Sequence, residues 1–290
     1  MRQIELLCGD AASVLRTLPA GIARTCITSP PYWGLRNYQV EGQMGLEATV
    51  VEYVERLVAA MREVRRVLAD DGTLWLVLGD RHASGARKSE GFNARWHGKH
   101  YLSDKQGAAD RERPTRSLVA GTKSKDLLGL PWLVAFALRG DGWYLRSDVV
   151  WEKPNAMPES VVDRPTMSHE HVFLLAKSHK YYYDADAIRE PYDGVVAGNP
   201  KGRNKRDVWR ISTRPFKGAH FAVFPSSLVE PCVGAGSALG DLVLDPFVGS
   251  GTVGVVALGL GRRFLGIDLN PEYVEMARRR IEASIEKDGS

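Results

Sequence analysis

The sequence predicts an α/β fold built on a doubly wound, mainly parallel sheet, and three observations support this prediction. Strand-like apolar runs alternate with helix-like amphipathic segments along most of the 290 residues. One run, TLWLVLGD, is almost continuously apolar, as are parallel strands that are covered on both faces. Another, LVLDPFVGSGTVGVVAL, passes from an apolar strand through a glycine-rich turn into a helix. With 44% apolar residues, the chain can bury a full core around such a sheet.

Local patterns assign the elements in order along the chain. Asp10 is placed to cap a short helix over AASVLRTL, and the strand ARTCIT follows. Apolar residues at helical spacing run through EATVVEYVERLVAAMREVRRVLADDG, which Gly72 is expected to end before the strand TLWLVLGD. A helix in LLGLPWLVAFALRGDG precedes two strands, YLRSDVVWEK and HEHVFLLAKS, with a proline-rich loop between them. After the glycine turn come the strand RRFLGIDL and a last helix, PEYVEMARRRIEASIEK, capped by Asn270.

These patterns divide the chain into five parts. The periodic segments are 1–80, 126–183 and 216–290, and the last of these contains the glycine turn. Residues 81–125 and 184–215 lose periodicity. Because a loop as long as 81–125 is uncommon in a compact domain, we expect it to be an insertion that is either functional or disordered.

Positive charge is concentrated in two segments. Residues 81–125 contain eleven Lys/Arg and four Asp/Glu, and residues 200–217 contain seven Lys/Arg and one acid. Their balances of +7 and +6 leave −9 for the rest of a chain whose net charge is +4. Aromatic residues lie among these charges, which favours a surface that binds nucleic acid through phosphate contacts and stacking. Two solvated basic loops are the alternative interpretation.

Other classes of protein fit the sequence poorly. No stretch of about 18 apolar residues is present, so we expect no membrane span. The N-terminal MRQIELLCGD lacks the apolar segment of a signal peptide. The cysteines Cys8, Cys26 and Cys232 are scattered without metal-ligand spacing, which predicts a reduced cytoplasmic protein with no disulfide framework and no metal site.

The glycine turn has the properties of a ligand site. Gly249 and Gly251 allow a tight turn and close approach of a ligand, and the helix that starts at Ser250 and Thr252 offers free N–H groups to a carboxylate. Asp268 ends the next strand about twenty residues later, where an acid can accept hydrogen bonds from ribose hydroxyls.

The residues before the turn narrow the choice of ligand. The turn lacks the third glycine of the dinucleotide motif, and Asp245 and Pro246 precede it. An acid at that position would repel phosphate but suits an amino group. A ligand that carries an ammonium, a carboxylate and a ribose is therefore favoured, and S-adenosylmethionine fits this description.

A second motif, TSPPY, follows the predicted strand ARTCIT. In a doubly wound sheet, ligands bind outside the carboxyl ends of the strands, so this motif and the glycine turn are expected to share one crevice. The hydroxyl of Ser29 and the carbonyl of Pro30 can accept hydrogen bonds from an exocyclic amine of a base, while Pro30 and Pro31 fix the backbone. Tyr32 offers a ring on which a flipped base can stack.

Taken together, TSPPY, a variable basic region, DPFVGSGT and GIDLNPEYVE resemble the beta-class DNA amino-methyltransferases, which methylate cytosine N4 or adenine N6. The segments WEKPNAMPES, DRPTMSHEHVFLLAKS and RPFKGAHFAVFP also resemble that family, so the likeness covers nearly the whole chain except 81–125. The resemblance implies a Rossmann-like methyltransferase fold with inserted DNA-recognition segments. It makes 1–80 and 126–183 the catalytic part, 216–290 the cofactor-binding part, and 184–215 the target-recognition region, with 81–125 in contact with DNA.

The resemblance also assigns roles to individual residues. Asp268 would hold the ribose, and Asp10 would lie near the adenine, although Asp10 can equally be a helix cap. His220 and Phe221 would line the far side of the cofactor, with a packing role as the alternative. The residues that would surround the methionine part and its turn are Asp245, Pro246, Phe247, Gly249, Ser250, Gly251 and Thr252.

In this family the first residue of the catalytic motif loosely sorts the target, so Ser29 implies cytosine N4. Adenine N6, RNA as substrate, and a catalytically silent DNA-binding subunit remain alternatives, and a dehydrogenase is a further one that the turn argues against. Pro231-Cys232 is the dipeptide that cytosine C5 methyltransferases use for covalent attack, but here we interpret Cys232 as buried packing.

The expected partners follow from these assignments. Double-stranded DNA is the expected substrate, a cognate restriction endonuclease is a possible companion, and the protein is expected to act as a monomer or homodimer. The candidate DNA-binding residues in the two basic segments are Arg87, Lys88, Arg95, Lys99, Arg203, Lys205, Arg206 and Arg210.

Overall fold

The fold is described from a computed structural model that covers residues 4–83, 122–191, 202–213 and 224–288. Eight strands and six α-helices alternate along these residues, with one short 3₁₀ helix at Asp186–Ile188. In chain order the elements are β1 (Ile4–Cys8), α1 (Ala11–Thr17), β2 (Ala23–Thr28), α2 (Val50–Val67), β3 (Leu68–Leu78), α3 (Leu130–Gly140), β4 (Tyr144–Glu152), β5 (His169–Ala176), β6 (Val208–Arg210), α4 (Ser226–Gly236), β7 (Leu242–Asp245), α5 (Thr252–Gly259), β8 (Arg263–Asp268) and α6 (Pro271–Asp288).

All eight strands belong to one sheet, in the order β1-β8-β7-β2-β3-β5-β4-β6. The pairs from β1 to β3 are parallel, β5 is antiparallel to both of its neighbours, and β6 is parallel to β4. Within the described residues, β5 is therefore the strand that runs against the other seven. The predicted doubly wound and mainly parallel sheet is confirmed.

Helices cover both faces of the sheet, and each face has its own core. On one face, α1, α2 and α3 pack through buried residues that include Leu15, Leu57 and Leu138. On the other, α4, α5 and α6 contribute Val233, Val253 and others. Burial on both faces explains why the central strands are continuous apolar runs. None of the helices in the described part of the chain is both long and apolar enough to cross a membrane.

The strand directions bring many chain segments to one edge. The carboxyl ends of β1, β2, β3, β4, β7 and β8 meet there, because these strands point the same way. The reversed strand β5 contributes its beginning instead, which places His169 and Glu170 at the same edge. Residues far apart in sequence are thereby brought together.

The first basic segment, residues 81–125, begins at this edge just after β3, and the described residues at both of its ends are held by hydrogen bonds. His82 forms an antiparallel bridge with Leu127, and the amides of Ala83 and Lys125 donate to the carbonyls of Asp126 and Ala83 at 2.8 and 2.9 Å. Asp80 fixes the return, since its carboxylate accepts from the amides of residues 129 and 130 at the start of α3. The first basic segment is therefore anchored beside the carboxyl end of β3.

Several local predictions need correction. Gly72 does not end α2, which stops at Val67, and β3 begins at once with Leu68. The pairing with β2 jumps from Leu68–Ala23 to Thr73–Thr25, so the polar residues between them bulge out of an otherwise regular strand. Strands β1 and β6 and helix α4 were not predicted. Strand β6 has only three residues, and α4 contains proline and glycine, which usually interrupt helices.

Candidate active site

The two sequence motifs lie side by side in the structure. Strands β2 and β7 are neighbours, with Cys26 opposite Leu244, so TSPPY and the glycine turn leave the sheet at adjacent positions. The hydroxyl of Thr28 donates to Oδ1 of Asp245 at 2.7 Å. The amide of Phe247 donates to the same oxygen at 3.1 Å. The two motifs are thus neighbours at this edge of the sheet, and one hydrogen bond joins them.

Asp245 is a buried carboxyl whose negative charge is stabilised by only two hydrogen bonds from the described residues. Its exposed fraction is 1%, and burial raises its pKa to about 7. Both of its hydrogen bonds end on Oδ1, and among the described residues Oδ2 accepts none. Because the charged form is stabilised so weakly, a cationic group placed near Oδ2 would be favoured.

The glycine turn is shaped by backbone that other residues adopt with difficulty. Gly249 and Gly251 have φ values of +49° and +78°. A Cβ at Gly251 would lie 3.0 Å from Cβ of Ala277 on α6. The amide of Gly249 donates to Oδ2 of Asp268 at 2.9 Å, and Oδ1 accepts from the amide of Asn270 at 2.9 Å. Burial raises the pKa of Asp268, and its oxygens retain further lone pairs for a diol.

The side chains of Ser250 and Thr252 are held by a residue that sequence reasoning missed. Arg280 of α6 donates through Nη1 to the hydroxyls of Ser250 and Thr252, at 2.9 and 3.0 Å, and to the carbonyl of Ser250 at 3.1 Å. Burial lowers the pKa of the Arg280 guanidinium. These hydroxyls therefore stabilise the turn, and the backbone N–H groups at the start of α5 are the groups left for a ligand. No local pattern in the last helix pointed to Arg280.

The residues of TSPPY are fixed by contacts from several elements. The carbonyl of Pro31 accepts from the hydroxyl of Tyr53 on α2 at 3.0 Å, whereas the carbonyl of Pro30 accepts no hydrogen bond from the described residues. Ser29 Oγ lies 3.3 Å from the Tyr32 hydroxyl. The predicted acceptors, Ser29 Oγ and the Pro30 carbonyl, are therefore both present at the carboxyl end of β2 with capacity for further hydrogen bonds.

Tyr32 is linked to a charged pair that was not predicted. Its hydroxyl donates to Oε2 of Glu170 at 2.8 Å, and the other oxygen, Oε1, pairs with the ammonium of Lys153. Lys153 also lies over the ring of Trp151, 4.5 Å from its centroid. Lys153 and Glu170 lie in the segments WEKPN and HEHV, which resemble the amino-methyltransferase family, but no role was predicted for either residue.

The tyrosine ring fits only because a glycine, Gly79, directly follows β3. A Cβ at Gly79 would lie 2.9 Å from Cε2 of Tyr32 and 3.3 Å from Cδ of Glu170. Burial, and after it the charge of Glu170, raise the pKa of Tyr32 well above its usual value. The hydroxyl therefore stays protonated. Trp33, in contrast, is buried in the core and donates to the carbonyl of Glu47 at 2.9 Å.

The region around Asp268 contains further polar and aromatic groups. Asp10 accepts from the amide of Ser13 at 2.9 Å, so it is a helix cap as one of the two interpretations held. Tyr38 and Tyr273 meet edge to face with centroids 6.0 Å apart. Burial raises the pKa of both tyrosines, and the charge of Asp268 acts in the same direction. This aromatic pair beside the acid was not predicted.

Several predicted residues cannot be placed. His220, Phe221, Arg87, Lys88, Arg95 and Lys99 lie outside the described residues.

The described part of the second basic segment forms ion pairs at the far end of the sheet. Arg203 and Arg206 donate to Oε1 of Glu190 at 2.8 and 2.6 Å, and Arg210 lies 3.3 Å from Glu152. Lys205 lies over the ring of Trp209, 5.1 Å from its centroid. Their role with DNA stays a prediction.

Cys232 lies within α4 and is 1% exposed. Its thiol donates to the carbonyl of Leu228 at 3.3 Å, and burial raises its pKa. Such a thiol is not prepared for nucleophilic attack, so the interpretation as buried packing is confirmed.

Comparison with known proteins yields consistent matches. The sequence profile of a family described as DNA methylase matches residues 23–279. Type II methyltransferase M.XycI of Xanthomonas campestris pv. cyanopsidis is 52% identical and covers 97% of this chain and 89% of the relative. Type II methyltransferase M.Cfr9I of Citrobacter freundii is 51% identical, with 94% and 86% covered.

Solved structures show the same architecture. The TTHA0409 protein of Thermus thermophilus, solved in complex with S-adenosyl-L-methionine, superposes with a TM-score of 0.62 at 25% identity, and 97% of this chain and 95% of that chain are covered. The PvuII DNA methyltransferase, described as cytosine-N4-specific, superposes with a TM-score of 0.67 at 19% identity, covering 99% and 91%. At that identity the second likeness concerns the fold.

Proposed function

The chain belongs to the N4-cytosine and N6-adenine family of DNA amino-methyltransferases, and we propose that it methylates the N4 amine of cytosine in double-stranded DNA. It is a type II DNA methyltransferase, and S-adenosylmethionine is its cofactor. The proposal goes beyond this family membership in three respects: the base that is methylated, the flipping of that base out of the duplex, and the roles of individual residues.

The observation that carries the proposal is the hydrogen bond between Thr28 and Asp245. It joins the strand that presents Ser29 to the strand that presents the glycine turn, so an amine at the first and a methyl donor at the second would be adjacent. A site of this kind supports direct transfer, because proximity and alignment lower the barrier of a displacement reaction.

The cofactor half of the site suits S-adenosylmethionine. We assign Oδ2 of Asp245 to the positively charged end of S-adenosylmethionine. The N–H groups at the start of α5 would bind its carboxylate, and Asp268 would bind its ribose. We assign Tyr38 and Tyr273, whose rings meet edge to face, to the nucleoside side of the ligand. When bound, the cofactor supplies an electrophilic methyl group on a sulfonium.

The acceptor half of the site suits an exocyclic amine. The lone pair of such an amine is delocalised into the base, and hydrogen-bond acceptors that hold its protons localise that pair for attack. Ser29 Oγ and the Pro30 carbonyl are the two acceptors, and the rigid Pro30-Pro31 backbone keeps them oriented. Tyr32 offers the face of its ring to the flipped base.

Cytosine N4 is favoured over adenine N6 because the first residue of the motif is Ser29, which the family resemblance associates with cytosine. The intact TSPPY motif argues against a silent DNA-binding subunit. We further propose that the two basic segments grip the duplex, that a restriction endonuclease is the companion of this enzyme, and that the protein acts as a monomer or homodimer.

One experiment tests the proposed reaction. The protein is incubated with mixed-sequence duplex DNA and S-adenosylmethionine, the DNA is digested to nucleosides, and the methylated nucleoside is identified by mass spectrometry. N4-methyldeoxycytidine is the expected product. N6-methyldeoxyadenosine would instead assign the enzyme to adenine, and the absence of any methylated nucleoside would refute the proposed activity.

A matched variant links that product to the site. Ser29→Ala removes one proposed acceptor, whereas Ser13→Ala changes a serine that meets Asp10 through its backbone amide. The first substitution should reduce methyl transfer by about 10²–10³-fold, as loss of a preorganised polar contact does. The second should leave the rate unchanged, and equal effects of the two would show that Ser29 has no special role.

A further inference from the structure

The contacts of Glu170 carry a further inference about how Ser29 becomes an acceptor. Glu170 lies at the start of β5, the reversed strand, and 138 residues separate it from Tyr32. Its two carboxylate oxygens are both engaged, one with the Tyr32 hydroxyl and one with the Lys153 ammonium. The side chains of Lys153 and Glu170 are 18% and 19% exposed, so this is a largely buried ion pair at the edge of the site.

Hydrogen counting fixes the direction of the chain of contacts. An ionised carboxylate has no hydrogen to donate, so the single hydroxyl hydrogen of Tyr32 is directed to Glu170 over 2.8 Å. Tyr32 then has only lone pairs to offer to Ser29. The contact between Ser29 Oγ and Tyr32 Oη, 3.3 Å long, is therefore donated by Ser29. The lone pairs of Ser29 Oγ therefore remain available to accept a hydrogen bond.

The groups around Glu170 support this arrangement. Its charged and titratable neighbours are Lys153 from the end of β4 and Tyr32 from the loop after β2. Its chain neighbours His169 and His171 point to the opposite face of the sheet, where His171 contacts Asp148 at 2.9 Å. Burial keeps Tyr32 in its protonated form, so it remains a donor.

We propose that Glu170, paired with Lys153, is a positioning residue that sets Ser29 as an acceptor toward the target amine and receives the proton that the amine releases. This inference rests on the proposed function. As the amine nitrogen bonds to the methyl carbon, the electron pair of the carbon–sulfur bond stays with sulfur, and the amine must lose one proton.

The proton balance follows the same contacts. Ser29 Oγ accepts the amine proton and passes its own hydrogen to Tyr32, which passes its own to Glu170. Glu170 ends the reaction as a carboxylic acid beside the Lys153 ammonium and returns its proton to water after the product leaves. No oxidant, reductant or additional reactant is required.

A double-mutant cycle tests the proposal. Single-turnover methyl transfer is measured at saturating S-adenosylmethionine and DNA for the parent, Glu170→Gln, Tyr32→Phe and the double variant. We expect each single variant to be slower by about 10²-fold, within the range for lost proton transfer. Because Glu170 acts through the Tyr32 hydroxyl, the double variant should be no slower than Tyr32→Phe.

Two controls separate this role from a structural one. S-adenosylmethionine affinity, measured by calorimetry, should stay within about twofold of the parent in every variant. Asp148→Asn, a carboxylate-to-amide change on β4 whose partner is His171, should leave the rate unchanged.

Each outcome decides one question. The role of Glu170 would be overturned if Glu170→Gln transferred methyl groups at the parent rate, or if the effects of the two substitutions multiplied in the double variant. It would also be overturned if the variants lost cofactor binding to the same extent as they lost rate. A parent that methylates adenine would refute the proposed base, while the cycle would still decide this role. A parent that transfers no methyl group would refute the proposed function and this inference with it.

Discussion

Lowering the pH from 8 to 6 should weaken S-adenosylmethionine binding about tenfold. The perturbation acts on Asp245, whose pKa is raised to about 7 by burial and whose Oδ2 we assign to the positive end of the cofactor. If only the ionised form binds, the binding-competent fraction is about nine-tenths at pH 8 and about one-tenth at pH 6. The affinity should therefore fall through pH 7 as the carboxyl is protonated.

The same pKa predicts how the free protein responds to Asp245→Asn. The folded protein holds the Asp245 proton more tightly than the unfolded chain does, so stability decreases as pH rises from the ordinary value of 3.8 to about 7. Three pKa units correspond to about 4 kcal/mol. An asparagine can still accept from Thr28 and from the amide of Phe247. At pH 8 the variant should thus be more stable than the parent, and bind the cofactor more weakly.

Calorimetric titration between pH 5.5 and 8.5, together with thermal unfolding at pH 8, measures both effects. Asp268→Asn serves as a control for the second buried acid, whose pKa is also raised by burial. S-adenosylhomocysteine, which lacks the sulfonium, tests whether the positive sulfur contributes to the dependence. An affinity that is flat from pH 6 to 8, or an Asp245→Asn variant that binds the cofactor like the parent, would refute the reasoning.

The remaining predictions concern the turn, the ring and the DNA. Gly251→Ala should destabilise the protein by about 1–2 kcal/mol or more, because φ is +78° and the new Cβ would meet Ala277, whereas Gly240→Ala, at the same φ with open space around it, should cost only the backbone strain; equal melting temperatures would contradict this. Arg280→Leu leaves the turn hydroxyls without their donor, so it should lower stability by about 1–3 kcal/mol and weaken cofactor binding in calorimetry, and an unchanged affinity would show that the turn keeps its shape alone. Tyr32→Ala should lower turnover and spare cofactor affinity, and an equal loss of both would mean that the ring is misplaced. DNA binding should weaken steeply between 50 and 200 mM salt in a fluorescence titration, by about 10³-fold for six phosphate contacts, and a shallow slope would argue against the basic segments.

The parts of the fold that sequence predicted are those that local chemistry determines. The glycine turn and TSPPY were found because a strand, a turn and a helix start lie within a few residues of one another, and because glycine and proline restrict the backbone in known ways. That the two motifs are neighbours was expected from a general rule about strand ends in doubly wound sheets.

The parts that sequence did not predict depend on contacts between distant residues. The partner of Tyr32 lies on a strand whose reversed direction no local pattern shows, and the partner of Asp245, Thr28, is 217 residues away. Arg280 lies on a helix whose other arginines form surface ion pairs, so the sequence alone does not distinguish Arg280 from them. Helix α4 was missed because Pro231 lies inside it.

The hydrogen bonds that join the two ends of the first basic segment have a consequence for how this segment can vary. Since the amide of Lys125 donates to the carbonyl of Ala83, the two ends of the segment are held together whatever the number of residues between them. Each doubling of that number would add only about 0.6 kcal/mol of closure entropy. Segments of different length and sequence can therefore be accommodated at this position without disturbing the strands that carry the two motifs.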